Sequence, residues 1–217
     1  MTASFPPDDE PDADVDMAAL LDEIPRLYRA RAFADALKEA RFLQRLGEPL
    51  DAVDRILAQR YLDGLGFPDA RAALIESWED AADAAASLDL NTEGWETEEA
   101  LRASATQAAL DRLDEGALNA ALTLVAERAG EAAREAVDEA AALWDLVDQE
   151  FLNAAAGAAV QAAHLAALAV LAADEPEAGE DEAGGDEFLD HPFVAKFRLF
   201  GRGRWPIALA GRTLNVF

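Results

Sequence analysis

Residues 117–173 read ALNAALTLVAERAGEAAREAVDEAAALWDLVDQEFLNAAAGAAVQAAHLAALAVLAA and contain no proline. In an α-helix, side chains three or four positions apart share one face. On that period one face is apolar and carries Leu118, Leu122, Val125, Ala129, Ala133, Ala136, Ala140, Leu143, Val147 and Phe151. The opposite face is acidic and then amide-rich, with Glu127, Glu131, Glu135, Asp138, Asp145, Gln149, Asn153, Gln161 and His164. The run predicts a long amphipathic helix, bent or broken near Gly130 or Gly157, whose apolar face needs a partner.

Shorter amphipathic segments precede this run, with proline and glycine at their ends. The spacing of their apolar residues predicts helices over about 25–46, 49–64, 68–86 and 98–113, the last with Thr97 as its N-cap. Short connections between amphipathic helices favour antiparallel neighbours. We therefore expect an all-α fold, a bundle of about six helices that occupies residues 15–173.

The two ends of the chain differ in composition from this central region. Residues 1–14 are rich in Asp, Glu and Pro, which predicts a disordered acidic arm. Residues 174–190 contain acids and glycines but no base, which predicts a flexible acidic linker. Residues 191–217 are basic and aromatic and contain no carboxylate side chain. They predict a small β-hairpin-like element with a turn near Gly211, which must pack on the bundle or on a partner subunit because an isolated hairpin is only marginally stable.

The overall charge is strongly negative. The chain has 44 acidic and 18 basic side chains and a formal net charge of -26. Because binding to phosphates requires a basic patch, we expect no nucleic-acid partner. The acidity fits either a high-GC genome that favours Arg and Ala codons or a high-salt cytoplasm that screens the charges. Cysteine is absent, which excludes disulfides and thiolate chemistry.

The sequence also bears on location. The first 25 residues lack the basic and apolar regions of a signal peptide, so we predict a cytoplasmic protein. Residues 151–173 carry no formal charge, which raises the question of a membrane span. They are mostly alanine, include Asn153, Gln161 and His164, and have acids on both flanks. We interpret them as a buried helix and expect no membrane partner.

Four carboxylates stand on one helical face: Glu127, Glu131, Glu135 and Asp138. We call this set the acidic row. It has three interpretations. The first is a solvated acidic face. In the second, the basic and aromatic residues 193–217 lie along this face or across the mouth of the bundle, through the predicted interaction residues Lys196, Arg198, Arg202, Arg204 and Trp205. The third is a site for Mg2+ or Mn2+, because these ions prefer oxygen ligands.

The metal interpretation is supported by a resemblance of one of two acidic sets in the sequence to a protein family. Glu127 and Glu131 precede Glu135-Ala-Val-Asp138, and Glu96-Thr-Glu-Glu99 precedes Asp111-Arg-Leu-Asp114. The first of these sets resembles the acidic helix of the MazG and dUTPase type of helical nucleoside-triphosphate pyrophosphohydrolases, which carry Glu-x-x-Glu followed by Glu-x-x-Asp. Neither set has the family's full spacing. The resemblance implies an all-α, Mg2+-dependent hydrolase.

No nucleophile with a matching base and no phosphate-binding loop occurs in the sequence. We therefore expect an interaction or scaffold protein without catalysis or a cofactor, which binds a protein partner or associates with itself, for example as a homodimer. The alternative is the Mg2+-dependent pyrophosphohydrolase, with the acidic row as its metal site.

Overall fold

The computed structural model describes residues 25–89, 91–174 and 190–217. The predicted acidic arm lies outside the described residues, and so does the predicted linker apart from its first and last positions. Within the described ranges the protein is mostly helical, with seven α-helices and a small three-stranded sheet. The helices are α1 Pro25–Ala36, α2 Ala52–Gly64, α3 Trp78–Ala86, α4 Glu93–Leu110, α5 Glu115–Trp144, α6 Gln149–Ala172 and α7 Pro192–Gly201. The strands are β1 Arg71–Leu74, β2 Pro206–Ala210 and β3 Thr213–Val216.

The long central run forms two helices, α5 and α6, that pack side by side in the main core. The predicted break near Gly130 or Gly157 is wrong, because both glycines lie inside helices. The chain turns instead at Asp145, whose φ of 52° is left-handed, and Asp148 then caps α6. Close packing between the helices outweighs the weak helix propensity of glycine.

The apolar face predicted for this run is largely buried. From Leu118 to Ala140 each of its residues lies in the core, as does Phe151 at the start of α6. Leu143 and Val147 are the exceptions, with 76% and 86% of their surface exposed. Leu143 lies in the last turn of α5 and Val147 follows that helix, so both lie beyond the stretch from Leu118 to Ala140 that packs in the core.

Three predicted boundaries upstream are wrong. The predicted first helix ends at Ala36, and a short 3-10 turn follows it. The predicted helix over 68–86 begins with a strand, β1, and becomes helical only after Ser77, which caps α3. The next helix begins earlier than predicted, because Thr92 rather than Thr97 caps α4. Thr97 lies within that helix, and its hydroxyl donates to the Glu93 carbonyl.

The C-terminal hairpin is confirmed, with Gly211 in its turn at φ 59°. The sheet order is β1-β3-β2, so β3 is the central strand, parallel to β1 and antiparallel to β2. Helix α7 was not predicted, and it packs against α2 and α6. These last elements therefore belong to the core of the molecule.

Helix α6 is the one helix among the described residues that is long and apolar enough to cross a membrane. Of the 18-residue apolar window in this helix, 61% is buried inside the fold.

Candidate functional site

A buried arginine holds the C-terminal element on the bundle. Arg204 Nε donates to Asp54 Oδ2 at 3.0 Å, and neither side chain is exposed to solvent. The rest of the guanidinium donates to the carbonyl oxygens of Glu48 (2.7 Å), Pro49 (2.8 Å) and Arg45. A buried charge is tolerated when its hydrogen bonds are satisfied in this way. Arg204 is thus an internal anchor.

Arg202 extends this ion-pair network. Its Nε donates to Asp54 Oδ1 at 2.7 Å and its Nη2 to Asp51 Oδ2 at 2.6 Å. The main-chain N-H of Asp54, followed by Arg45 and Arg202, lowers the pKa of Asp51 to about 2. Burial by itself would raise the pKa of Asp54, but hydrogen bonds from Arg202, the Asp51 main chain and Arg204 lower it. Both carboxylates are therefore ionised partners of the arginines at neutral pH.

A second polar group joins three helices. Glu98 of α4 accepts a hydrogen bond from Lys196 Nζ of α7 at 2.7 Å and from the Tyr61 hydroxyl of α2 at 2.5 Å. The Lys196 ammonium also lies over the Tyr61 ring, 5.2 Å from its centroid, which is a cation-π contact. The Lys196 and Glu98 side chains are only 17% and 12% exposed. Burial and the adjacent Glu98 raise the pKa of Tyr61 well above its ordinary value, so its hydroxyl remains a donor.

These three side chains line a cavity of about 350 Å³, which we call the Lys196 cavity. It lies where α2, α3, α4, α6, α7 and the hairpin meet. Its wall is mainly apolar and includes Trp95, Phe200, Ile207, Leu209 and Leu214. Two amide side chains, Gln161 and Asn215, also face it. An apolar cavity with a few convergent polar groups has the composition of a small-molecule site.

The acidic row lies elsewhere, on the exposed side of α5. All four of its side chains are exposed, and Glu131 accepts from Arg128 at 3.0 Å. Across the described part of the chain, no group of three or more His, Cys, Asp or Glu side chains is placed so that it could hold a metal ion. The four residues predicted as metal ligands are thus arranged as a surface, without the convergence that a binding site for Mg2+ needs.

The predicted interaction residues take different positions. Lys196, Arg202 and Arg204 pair with Glu98, Asp51 and Asp54. Trp205 is buried, and its ring lies 5.3 Å from that of Phe151. Arg198 lines a groove between α1 and α7 that also contains Phe33 and Phe197. The pairs of Lys196, Arg202 and Arg204 thus join the C-terminal element to α2 and α4 rather than to the acidic row.

Comparison with protein-family models, curated proteins and solved structures finds no match to this chain. The resemblance to the helical pyrophosphohydrolases stays a prediction. Of its second acidic set, Glu96 and Glu99 lie on α4, while Asp111 follows that helix and Asp114 caps α5. Most of helix α4 therefore separates the two acidic pairs along the chain.

Four residues of these sites were not among the site residues predicted from the sequence. Asp51 and Asp54 carried a signal, because the spacing Asp-x-x-Asp after a proline is typical of a helix N-terminus. Tyr61 and Glu98 carried none, since each sits among other helical residues and they meet only in the folded protein. Lys196 was among the predicted interaction residues, but its neighbours Tyr61 and Glu98 were not.

Proposed function

We propose that the protein is a non-catalytic interaction protein that binds a partner protein through the acidic row and the apolar pair Leu143 and Val147. The observation that carries the proposal is the position of the C-terminal bases. Lys196, Arg202 and Arg204 form ion pairs with acids of other helices, whereas the acidic row faces solvent. The strongest acidic surface of the long helix therefore remains available.

The apolar pair supports a protein partner. Leu143 and Val147 are the two most exposed large apolar side chains among the described residues, and Asp145 and Asp148 lie beside them in sequence. Exposed apolar side chains bordered by charges are typical of a contact surface. We infer a partner that reaches from the acidic row along α5 to this pair at the end of the helix, with basic side chains against the row and an apolar patch against the pair.

The charge indicates which kind of partner is favoured. A formal charge of -26 accelerates the approach of a basic protein and opposes that of an acidic one. A second copy of this chain would bring like charges together if the same face met itself. We therefore propose a different, basic protein as the partner, and expect the affinity to fall as salt is raised.

The test is a comparison of charge-matched variants. The row variant carries Glu127→Gln, Glu131→Gln, Glu135→Gln and Asp138→Asn. The control removes four exposed acids elsewhere, by Glu79→Gln, Asp83→Asn, Glu93→Gln and Glu96→Gln. Proteins that the natural chain captures from its source cells are identified and purified. Each is then titrated by calorimetry against the natural chain, the row variant and the control.

We expect a captured basic protein to lose at least about tenfold in affinity with the row variant and little with the control, a difference of about 1.4 kcal/mol. Leu143→Ser with Val147→Ser should also weaken binding. Equal binding by the row variant and the control would indicate non-specific attraction and would contradict the proposal. Failure to capture a protein that distinguishes them would contradict it as well.

A separate experiment addresses the alternative, a Mg2+-dependent pyrophosphohydrolase. Mg2+ and Mn2+ are titrated while thermal unfolding is followed, and release of phosphate or pyrophosphate from nucleoside triphosphates is measured. Since the acidic row is exposed and does not converge on one point, we expect no metal-dependent shift in Tm and no hydrolysis. Metal-dependent turnover that Glu131→Gln abolishes would favour the enzyme.

A further inference from the structure

The Lys196 cavity is a second candidate site, and it shares no residue with the acidic row. We propose that it binds an uncharged, mainly apolar small molecule whose carbonyl or similar acceptor oxygen is held by the Lys196 ammonium. This inference is independent of the protein-interaction function proposed above.

The walls define the apolar part of the ligand. Trp95, Leu209 and Leu214 line the cavity, and its volume of about 350 Å³ lies at the lower end of the range for small-molecule sites, about 300–1,000 Å³. A cavity of this size reduces packing, because the side chains around it lack contacts on one side. Its presence beside the fully buried Phe200 therefore points to a binding role.

The cavity is reachable from the surface. Leu88 and Asp89, in the segment between α3 and α4, belong to its lining and are exposed to solvent. Lys196 and Glu98, in contrast, are mostly shielded. A ligand entering past the segment at residues 87–89 would thus have its polar group directed to the shielded side.

Lys196 has hydrogen-bonding capacity beyond its contact with Glu98. An ammonium group has three N-H donors, and one described hydrogen bond, to Glu98 Oε1, uses one of them. The face of the Tyr61 ring supports the charge without accepting a conventional hydrogen bond. At Glu98 both carboxylate oxygens already have a donor, from Lys196 and Tyr61. The group therefore offers a donor to a ligand and needs no donor from it.

The charge of the site selects an uncharged acceptor. Lys196 and Glu98 neutralise each other, and Asp89 adds a negative charge to the lining. A carboxylate or phosphate ligand would bring further negative charge into a partly desolvated site that has no second described base. A carbonyl oxygen can accept from Lys196 without that penalty. This chemistry also disfavours nucleoside triphosphates as occupants.

Three probes of nearly the same shape test the proposal on the natural protein. These are 2-acetylnaphthalene with a neutral acceptor, 2-naphthoate with an anionic one, and 2-ethylnaphthalene with none. Binding is followed by ligand-observed NMR and by the fluorescence of Trp95 and Trp205, which line the cavity. We expect the ketone to bind at least about tenfold more tightly than either of the others, because hydrogen bonds to charged groups are stronger than neutral ones.

Variants locate the site. Ala158→Phe fills the cavity from α6 and should abolish binding of the ketone, whereas Ala103→Phe, at an exposed position on α4 that does not line it, should not. Lys196→Met combined with Glu98→Gln removes both charges together, so neither remains unpaired. That double variant should bring the ketone's affinity down to that of 2-ethylnaphthalene and leave the latter unchanged. Circular dichroism checks that each variant is folded.

Several outcomes would overturn the proposal. Equal binding of the ketone and 2-ethylnaphthalene would show that Lys196 does not hold the acceptor. Tighter binding of 2-naphthoate would show that the site selects anions. Absence of binding by all three probes, or binding that Ala158→Phe leaves unchanged, would remove the Lys196 cavity as their site. If the double variant fails to fold, the three probes on the natural protein still test whether the site prefers a neutral acceptor.

Discussion

Arg204 and Asp54 are separated by 150 positions in the sequence, yet their side chains meet at 3.0 Å with no exposure to solvent. This contact joins the residues just before β2 to the first turn of α2. Arg202 reaches the same carboxylate from the other side at 2.7 Å. Two guanidinium groups of the C-terminal element thus share one buried acid at the start of α2.

Loss of the buried arginine is expected to be costly. Arg204→Met should lower the free energy of unfolding by about 3 kcal/mol, because removing one partner leaves Asp54 incompletely paired in the interior. Urea unfolding followed by circular dichroism measures this change. Arg212→Met is the control, since its pair with Asp69 is exposed (72% and 82%), and it should cost less than about 1 kcal/mol. Similar losses in the two variants would contradict the anchoring role.

The same network predicts a loss of stability in acid. The pKa of Asp51 is about 2 in the folded protein, and that of Asp54 is lowered too, whereas an unfolded Asp has a pKa of about 3.9. Between about pH 2 and pH 4 these carboxylates therefore bind fewer protons in the folded state than in the unfolded chain. The stability from these carboxylates is present above about pH 4 and is lost as the pH falls toward about 2.

A variant separates this effect from the general protonation of an acidic protein. The difference in unfolding free energy between the natural chain and Asp51→Asn should be constant from about pH 7 to pH 5 and should shrink toward about pH 2. Urea titrations at each pH give the difference. A difference that stays constant down to about pH 2.5 would mean that Asp51 is not stabilised as the ion.

Two glycines with similar backbone angles should respond differently to alanine. Gly66 and Gly203 have φ of 83° and 87°, where an alanine is strained by about 1–2 kcal/mol. A Cβ at Gly66 would meet no atom within 4 Å, whereas at Gly203 it would lie 2.8 Å from the Arg45 main-chain nitrogen. Gly203→Ala should therefore lower the free energy of unfolding by about a further 1–3 kcal/mol, as an overpacked core does. Thermal unfolding of both variants checks the order.

The buried aromatic ring of Phe217 should matter for stability. Phe217 is fully buried, and its main-chain N-H donates to the Trp205 carbonyl at 2.9 Å. Phe217→Ala should cost about 3–5 kcal/mol, as for other large core residues. Leu143→Ala, at an exposed position, should change stability by no more than about 0.5 kcal/mol. Chemical denaturation measures both, and a Phe217 variant as stable as the natural chain would contradict this packing.

Truncation after Asp190 extends that test. The shortened chain lacks α7 and the central strand β3, so β1 loses the strand with which it pairs. We expect loss of the cooperative unfolding transition and increased binding of an apolar dye. An unchanged Tm would mean that the bundle is stable without its C-terminal element.

The periodic pattern of residues 117–173 was sufficient to predict helices and to identify the core face of α5, because helical periodicity is a property of nearby residues. The hairpin at Gly211 was also predicted from the sequence, because a turn residue between two short β-prone segments is a local signal. Asp145, in contrast, gave no sign of ending α5, because its left-handed conformation suits the turn between two packed helices.

Strand β1 and the Lys196 cavity required the tertiary structure. Arg71–Leu74 follow a helix-compatible pattern, but they extend as a strand because β3, from the far end of the chain, supplies parallel partners. Tyr61, Glu98 and Lys196 come from three helices and become a polar group only when those helices pack. The sequence by itself thus determined the helical character and charge of this protein. The tertiary structure decided which acids the basic side chains of the C-terminal element pair with. Ion pairs between residues far apart in sequence depend on three-dimensional proximity and not on local sequence.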